Sequence, residues 1–122
     1  MKSFLIVEDD ATLSKLTEVL IRNKYGEVHV SQAFNGQEAL EKTRTRDYTV
    51  IITDLAMPEM SGEAFYKVLK NESPHLAKRI LVISAYMDTP QASYIIEEKC
   101  ACITKPYEIK TLYSAIDSII YS

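Results

Sequence analysis

The chain is sparing with the residues that mark special environments: its 122 positions hold three glycines, four prolines and two cysteines. No Gly/Ser-rich linker, repeat or low-complexity tract interrupts it, so residues 1–122 read as one domain, large enough to bury one good core. Apolar runs stay far below the roughly 20 residues that a membrane helix needs. The opening "MKSFLIVEDD" has one lysine and a short apolar stretch before three acids, which is no secretion signal. Positive charge is not in excess: 14 Lys and Arg against 17 Asp and Glu leave a net charge of −3. That balance argues against direct nucleic-acid contact by this domain. Cys100 and Cys102 lie two apart and would share one side of a strand, too far apart in backbone for an easy disulfide. They read as reduced thiols, and the expected location is cytoplasmic, with no membrane contact.

What is present is an ordinary globular balance, 47% hydrophobic and 25% charged, which excludes disorder. Short apolar runs alternate with amphipathic segments. "SFLIV" (3–7), "VHVSQA" (28–33), "YTVIITD" (48–54), "RILVIS" (79–84) and "ACIT" (101–104) read as strands. Between and after them come helical segments. The first, 11–24, has Leu13, Leu16 and Leu20 on one face and Asp10 as N-cap. Segments 36–45 and 62–71 follow, then a helix opened by Thr89 as cap and Pro90 as first residue. A last helix places Ile109, Leu112, Ile116, Ile119 and Ile120 inward. Five strands alternating with five helices predict a parallel sheet with helices on both faces. Right-handed crossovers make it doubly wound, and strand order 2-1-3-4-5 is the expected one, with its switch point between strands 1 and 3.

The polar residues that break the apolar pattern collect at one edge. Glu8-Asp9-Asp10 ends strand 1, Asp54 ends strand 3, Ser84 ends strand 4 and Thr104-Lys105 ends strand 5. Those are carboxyl ends of parallel strands, where open α/β sheets hold ligands. Taken singly, Asp10 is a helix cap, Ser84 a turn residue and Lys105 a solvated charge. The acids together are harder to dismiss, because like charges at one edge repel unless a cation neutralises them. Oxygen-only ligands favour a hard ion such as Mg²⁺. His29 and His75 fall away from the strand ends and read as surface or packing residues. A hard cation beside a carboxylate, a hydroxyl and a lysine suits phosphoryl transfer. In-line attack requires the nucleophile at the centre of the group, and Asp54 is on the middle strand. A carboxylate there can form an acyl phosphate, so Asp54 is placed to be phosphorylated.

"FLIVEDD", "VIITDLAMPEMSG", "LVISA" and "ITKPY" resemble, in order and spacing, the motifs of the receiver domain of bacterial two-component response regulators, chemotaxis-regulator-like, over essentially the whole chain. The resemblance implies a flavodoxin-like fold and a phospho-acceptor that assists its own phosphorylation and dephosphorylation rather than an enzyme. It implies Asp54 as phosphoacceptor, and a Mg²⁺ site made of Asp9, Glu8 through water, Asp54 and the carbonyl of Ala56. Ser84 would be the hydroxyl that follows the phosphoryl group, Lys105 its ammonium partner, and Lys105–Pro106 a cis bond. Gly62 matches the family's turn glycine. The implied donor is a sensor histidine kinase or histidine phosphotransfer protein docking near the first helix. The implied output is a change in the fourth helix, fifth strand and fifth helix. That face would serve a downstream effector domain or protein, or a homodimer.

Departures from the pattern are as informative. Cys102 stands where the family has a switch aromatic, so Ser84 and Cys102 form an unusual switch pair. Cys100-Ala101 replaces a small pair, Tyr107 replaces Phe, and the last helix lacks the basic pattern of winged-helix transcription regulators. One rival is a degenerate receiver used as a phosphorylation-independent interaction module, against which the full set Asp9, Asp54, Ser84 and Lys105 argues. The other is an aspartyl-nucleophile phosphatase, which would carry a second Asp where this chain has Ala56.

Overall fold

The computed structural model describes residues 1–122. Its elements run β1 (Ser3–Val7), α1 (Ala11–Tyr25), β2 (His29–Ala33), α2 (Gly36–Thr45), β3 (Val50–Asp54), α3 (Gly62–Glu72), α4 (Pro74–Ala77), β4 (Ile80–Ser84), α5 (Pro90–Glu97), β5 (Ala101–Thr104) and α6 (Ile109–Ile120). The sheet is fully parallel with order β2-β1-β3-β4-β5, as expected. One element was not anticipated. Pro74 opens the single turn of α4, whose Leu76 and Ala77 are buried. The helices expected fourth and fifth are therefore α5 and α6.

Strand side chains alternate between two cores because successive residues point to opposite faces. Leu5, Val7, Ile51, Ile80 and Val82 pack under α2, α3, α4 and α5 with Phe65 and Leu69. Phe4, Ile6, Val50, Ile52, Leu81 and Ile83 pack under α1 and α6 with Ile21, Leu112 and Ile116. Burial on both faces explains why these strands are continuous apolar runs rather than alternating ones. Each fully buried side chain of this size contributes about 1.5–3 kcal/mol.

One apolar expectation is corrected, and one shared apolar face proves to be exposed. Leu13, Leu16 and Leu20 do share a side of α1, but Leu13 and Leu16 are 41% and 51% exposed, while Ser14, Thr17 and Ile21 are the buried residues. Ile109 is 52% exposed rather than inward, while Leu112 and Ile116 are fully buried and Ile119 and Ile120 half-buried. Caps fall where expected: Asp10 accepts from the amides of Thr12 and Leu13 at 2.9 and 3.1 Å, and Thr89 accepts from that of Ala92 at 3.1 Å.

Candidate functional site

The register of the sheet carries the site residues to one level. Val7 pairs with Thr53, Asp54 with Ile83, and Ser84 with Thr104. The ladder then runs one residue further: the Glu8, Leu55 and Lys105 amides donate to the carbonyls of Ala33, Ile83 and Ser84 at 3.0, 3.2 and 2.9 Å. Glu8 and Lys105, near opposite ends of the chain, thereby start from fixed backbone on either side of Asp54.

Glu8, Asp9 and Asp54 each offer a carboxylate oxygen within 4.8 Å of the others. Lys105 Nζ donates to Asp54 Oδ2 at 3.1 Å and lies 3.8 Å from Glu8 Oε1. The Ala56 amide points at Asp54 Oδ1 at 3.4 Å. Asp10 stands apart from the other acids, its side chain spent on capping α1. Glu8 is pushed up to about 7, chiefly by burial and further by the charge of Asp54 and a hydrogen bond with Asp9; the Asp10 amide and Lys105 oppose this. Burial alone would lower the Lys105 ammonium, but its bond to Asp54 and the two carboxylate charges outweigh that and raise it. One lysine therefore does not neutralise three acids. The remaining negative charge and the all-oxygen donor set fit a hard divalent cation held by Glu8, Asp9 and Asp54.

Ser84 is buried, and its hydroxyl is turned into its own loop rather than bonded to Asp54. It donates to the Tyr86 carbonyl at 2.9 Å and accepts from the Tyr86 amide at 3.1 Å. Ala56, Ser84 and Tyr86 line one cavity of about 320 Å³ with Ser61 and Thr89. The Lys105–Pro106 bond is cis. Gly62 closes the loop after Asp54: its amide donates to Leu55 at 2.8 Å, and a Cβ there would fall 2.3 Å from the Asp54 carbonyl oxygen. His29 bonds Ser31 and His75 bonds Asp47, both away from these acids, as expected. Cys102 is half-buried against the larger core and donates its thiol to the Cys100 carbonyl at 3.3 Å; both cysteines are free. Burial pushes the Cys102 thiol up to about 11, which keeps it protonated.

Apolar residues of α1 and of the segment after β5 form a groove beside the acids. Leu13, Leu16, Leu20, Tyr107 and Ile109 line about 530 Å³ that opens onto Glu8, Asp54 and Lys105. The exposed leucines of α1 and Ile109 belong to this groove, and of these Ile109 is the one whose periodicity read as inward.

A doubly wound parallel sheet with a carboxylate at its central strand end, two acids beside it and a lysine across defines an acidic, cation-ready α/β domain. The chain belongs to the response regulator receiver domain family, whose model matches residues 4–117. Members of that family are phospho-acceptors of two-component signalling. The response regulator ArlR of Staphylococcus haemolyticus is 27% identical over 98% of this chain and 53% of its own, so the chain spans about half the length of such curated relatives. The signal receiver domain of a signal transduction histidine kinase from Syntrophus aciditrophicus is similar in structure, with TM-score 0.82 at 26% identity, covering 99% of this chain and 91% of that one. The response regulator protein TrrA of Thermotoga maritima, solved in complex with Mg²⁺ and BeF, shares the fold at TM-score 0.82 and 21% identity, over 98% of this chain and 99% of its own. No helix is long and apolar enough to cross a membrane.

Proposed function

We propose that Asp54 takes a phosphoryl group from a phosphohistidine on a sensor kinase or phosphotransfer protein, with Mg²⁺ held by Glu8, Asp9, Asp54 and the Ala56 carbonyl. The observation that carries this is the convergence of three carboxylates within 4.8 Å, with the Lys105 ammonium 3.1 Å from the central one. An oxygen of Asp54 attacks phosphorus, the bond from phosphorus to the donor imidazole nitrogen breaks, and that nitrogen keeps the electron pair and takes a proton. The bound ion supplies charge neutralisation of the phosphoryl oxygens. Lys105 gives up its bond to Asp54 and turns to a phosphoryl oxygen. Ser84 gives up Tyr86 and donates its hydroxyl to another, which releases the loop to α5. TrrA, solved with Mg²⁺ and BeF, supports the choice of ion.

The groove along α1 is the docking place that suits a donor. Its apolar stripe ends at Asp54 and Lys105, so a helix seated on Leu13, Leu16 and Ile109 brings a side chain to the acceptor. The receiver domain similar to this chain that comes from a histidine kinase is consistent with such a partner.

Incubation with acetyl phosphate and Mg²⁺ is expected to add one phosphoryl group, and Asp54→Asn to abolish it, by mass spectrometry of the borohydride-trapped adduct. A label on another residue overturns the assignment. No label at all makes the chain a degenerate receiver that acts by interaction alone.

A further inference from the structure

The C-terminal end of α5 carries charge of the unfavourable sign. Its last turn has no basic residue, and Glu98, the C-cap, sets a carboxylate at the negative end of the helix dipole. Lys99 follows with a left-handed φ of 61° although it is not glycine. The backbone closes this end itself, the Lys99 and Cys100 amides donating to the Ile96 and Ile95 carbonyls at 2.9 and 3.3 Å, and α3 adds partners for the carboxylate. Lys70 Nζ pairs with Glu98 Oε1, and the Tyr66 hydroxyl donates to the same oxygen at 3.1 Å. One turn earlier, the Tyr94 ring meets Tyr66 edge-on at 6.2 Å and 65°. Lys67 Nζ lies 4.5 Å from the centre of the Tyr94 ring.

The other end of α5 is tied to the site. The helix starts at Pro90, directly after the loop whose Tyr86 backbone holds the Ser84 hydroxyl. When Ser84 leaves Tyr86, that loop and the first turn of α5 must move. A helix of eight residues is short and stiff, so displacement at one end loads the contacts at the other. Tyr66 and Tyr94 pack edge to face between α3 and α5, so movement of α5 is felt at this contact.

We propose that Tyr66, Lys67 and Lys70 of α3 form a latch on Tyr94 and Glu98 of α5 that holds this helix in its unphosphorylated position and opposes the switch. The proposal rests on the phospho-acceptor reading above. A contact made in one state and weakened in the other shifts the equilibrium by its own differential strength. Removing the latch therefore favours the phosphorylated conformation.

Beryllofluoride with Mg²⁺, titrated against the full chain and followed by amide shifts, tests this. Lys70→Glu, which sets like charges together, is expected to tighten beryllofluoride binding about two- to five-fold, the scale of a partly exposed ion pair. It also extends the amide changes from the loop to the last turn of α5. The double variant Lys70→Glu with Glu98→Lys restores the opposite-charge pair and returns the affinity to that of the unaltered protein. Tyr66→Phe removes one hydroxyl only and moves the affinity in the same direction as Lys70→Glu, which keeps the test open if the charge reversal unfolds the protein. Unchanged or weaker binding in folded Lys70→Glu or Tyr66→Phe, or no restoration by the double variant, overturns the latch alone. No beryllofluoride response in the unaltered protein overturns the phospho-acceptor reading and the latch with it.

Discussion

The hydroxyl of Ser84 is closed onto the backbone of Tyr86, donating at 2.9 Å and accepting at 3.1 Å, while Asp54 is bonded to Lys105. Both bonds of Ser84 are local, so releasing it changes the loop from Ala85 to Thr89 before it changes anything else. In this structure the hydroxyl is committed to its own loop and the Asp54 carboxylate to Lys105.

Cys102 contributes little to the chemistry. Its thiol is half-buried, held protonated by burial and bonded to its own strand. Cys102→Ser is expected to accept phosphate at Asp54 at a near-normal rate, since the thiol bonds only the Cys100 carbonyl of its own strand. Amide shifts on adding beryllofluoride are expected to cluster in residues 85–89 and at the start of α5. Loss of phosphorylation in a folded Cys102→Ser protein would give the thiol a part in the site.

Ala56 and Tyr86 line the cavity beside Ser84, and the lifetime of the proposed acyl phosphate is expected to depend on them. Attacking water needs a polar group to orient it, and the methyl of Ala56 offers none. Tyr86 brings bulk instead of an acid. Ala56→Asn with Tyr86→Glu is expected to speed self-dephosphorylation roughly tenfold, the effect of about one orienting hydrogen bond. Decay of the phosphorylated form, followed by mass spectrometry, measures it. Unchanged or slower decay in the double variant refutes the account.

Glu8 makes the ion-free protein pH-sensitive. Burial first, then Asp54 and Asp9, raise it from 4.5 to about 7, so between these values the folded chain holds a proton that the unfolded chain has released. Stability without Mg²⁺ is therefore full below the lower value and falls as pH rises to the upper one. Affinity for the proposed Mg²⁺ is expected to rise over the same window, because a ligand carboxylate must be ionised. Urea unfolding in EDTA at about pH 5 and about pH 7.5 is expected to show the fall, and Glu8→Gln to flatten it. Equal slopes in the two proteins would remove Glu8 as the source.

The amino-acid sequence by itself determined the strands, the caps and the residue types at the strand ends. Apolar runs such as "VIITD" fit burial on both faces of a parallel sheet, and Asp10, Thr89 and Pro90 act within a few residues of themselves. The one-turn α4 escaped because a single turn after Pro74 has no periodicity to read. Only the tertiary structure decided which apolar side chains are core. Periodicity reports which residues share a face, and a groove needs an apolar face as much as a core does. Ile109 therefore looked like a core residue, and the shared face of Leu13 and Leu16 left open that Ser14 and Thr17 take the buried side of α1. Packing also decided that Ser84 bonds Tyr86 in this state and that Glu98 depends on Tyr66 and Lys70. Such partners are set by the long-range register of strands and the docking of helices, which no local pattern encodes.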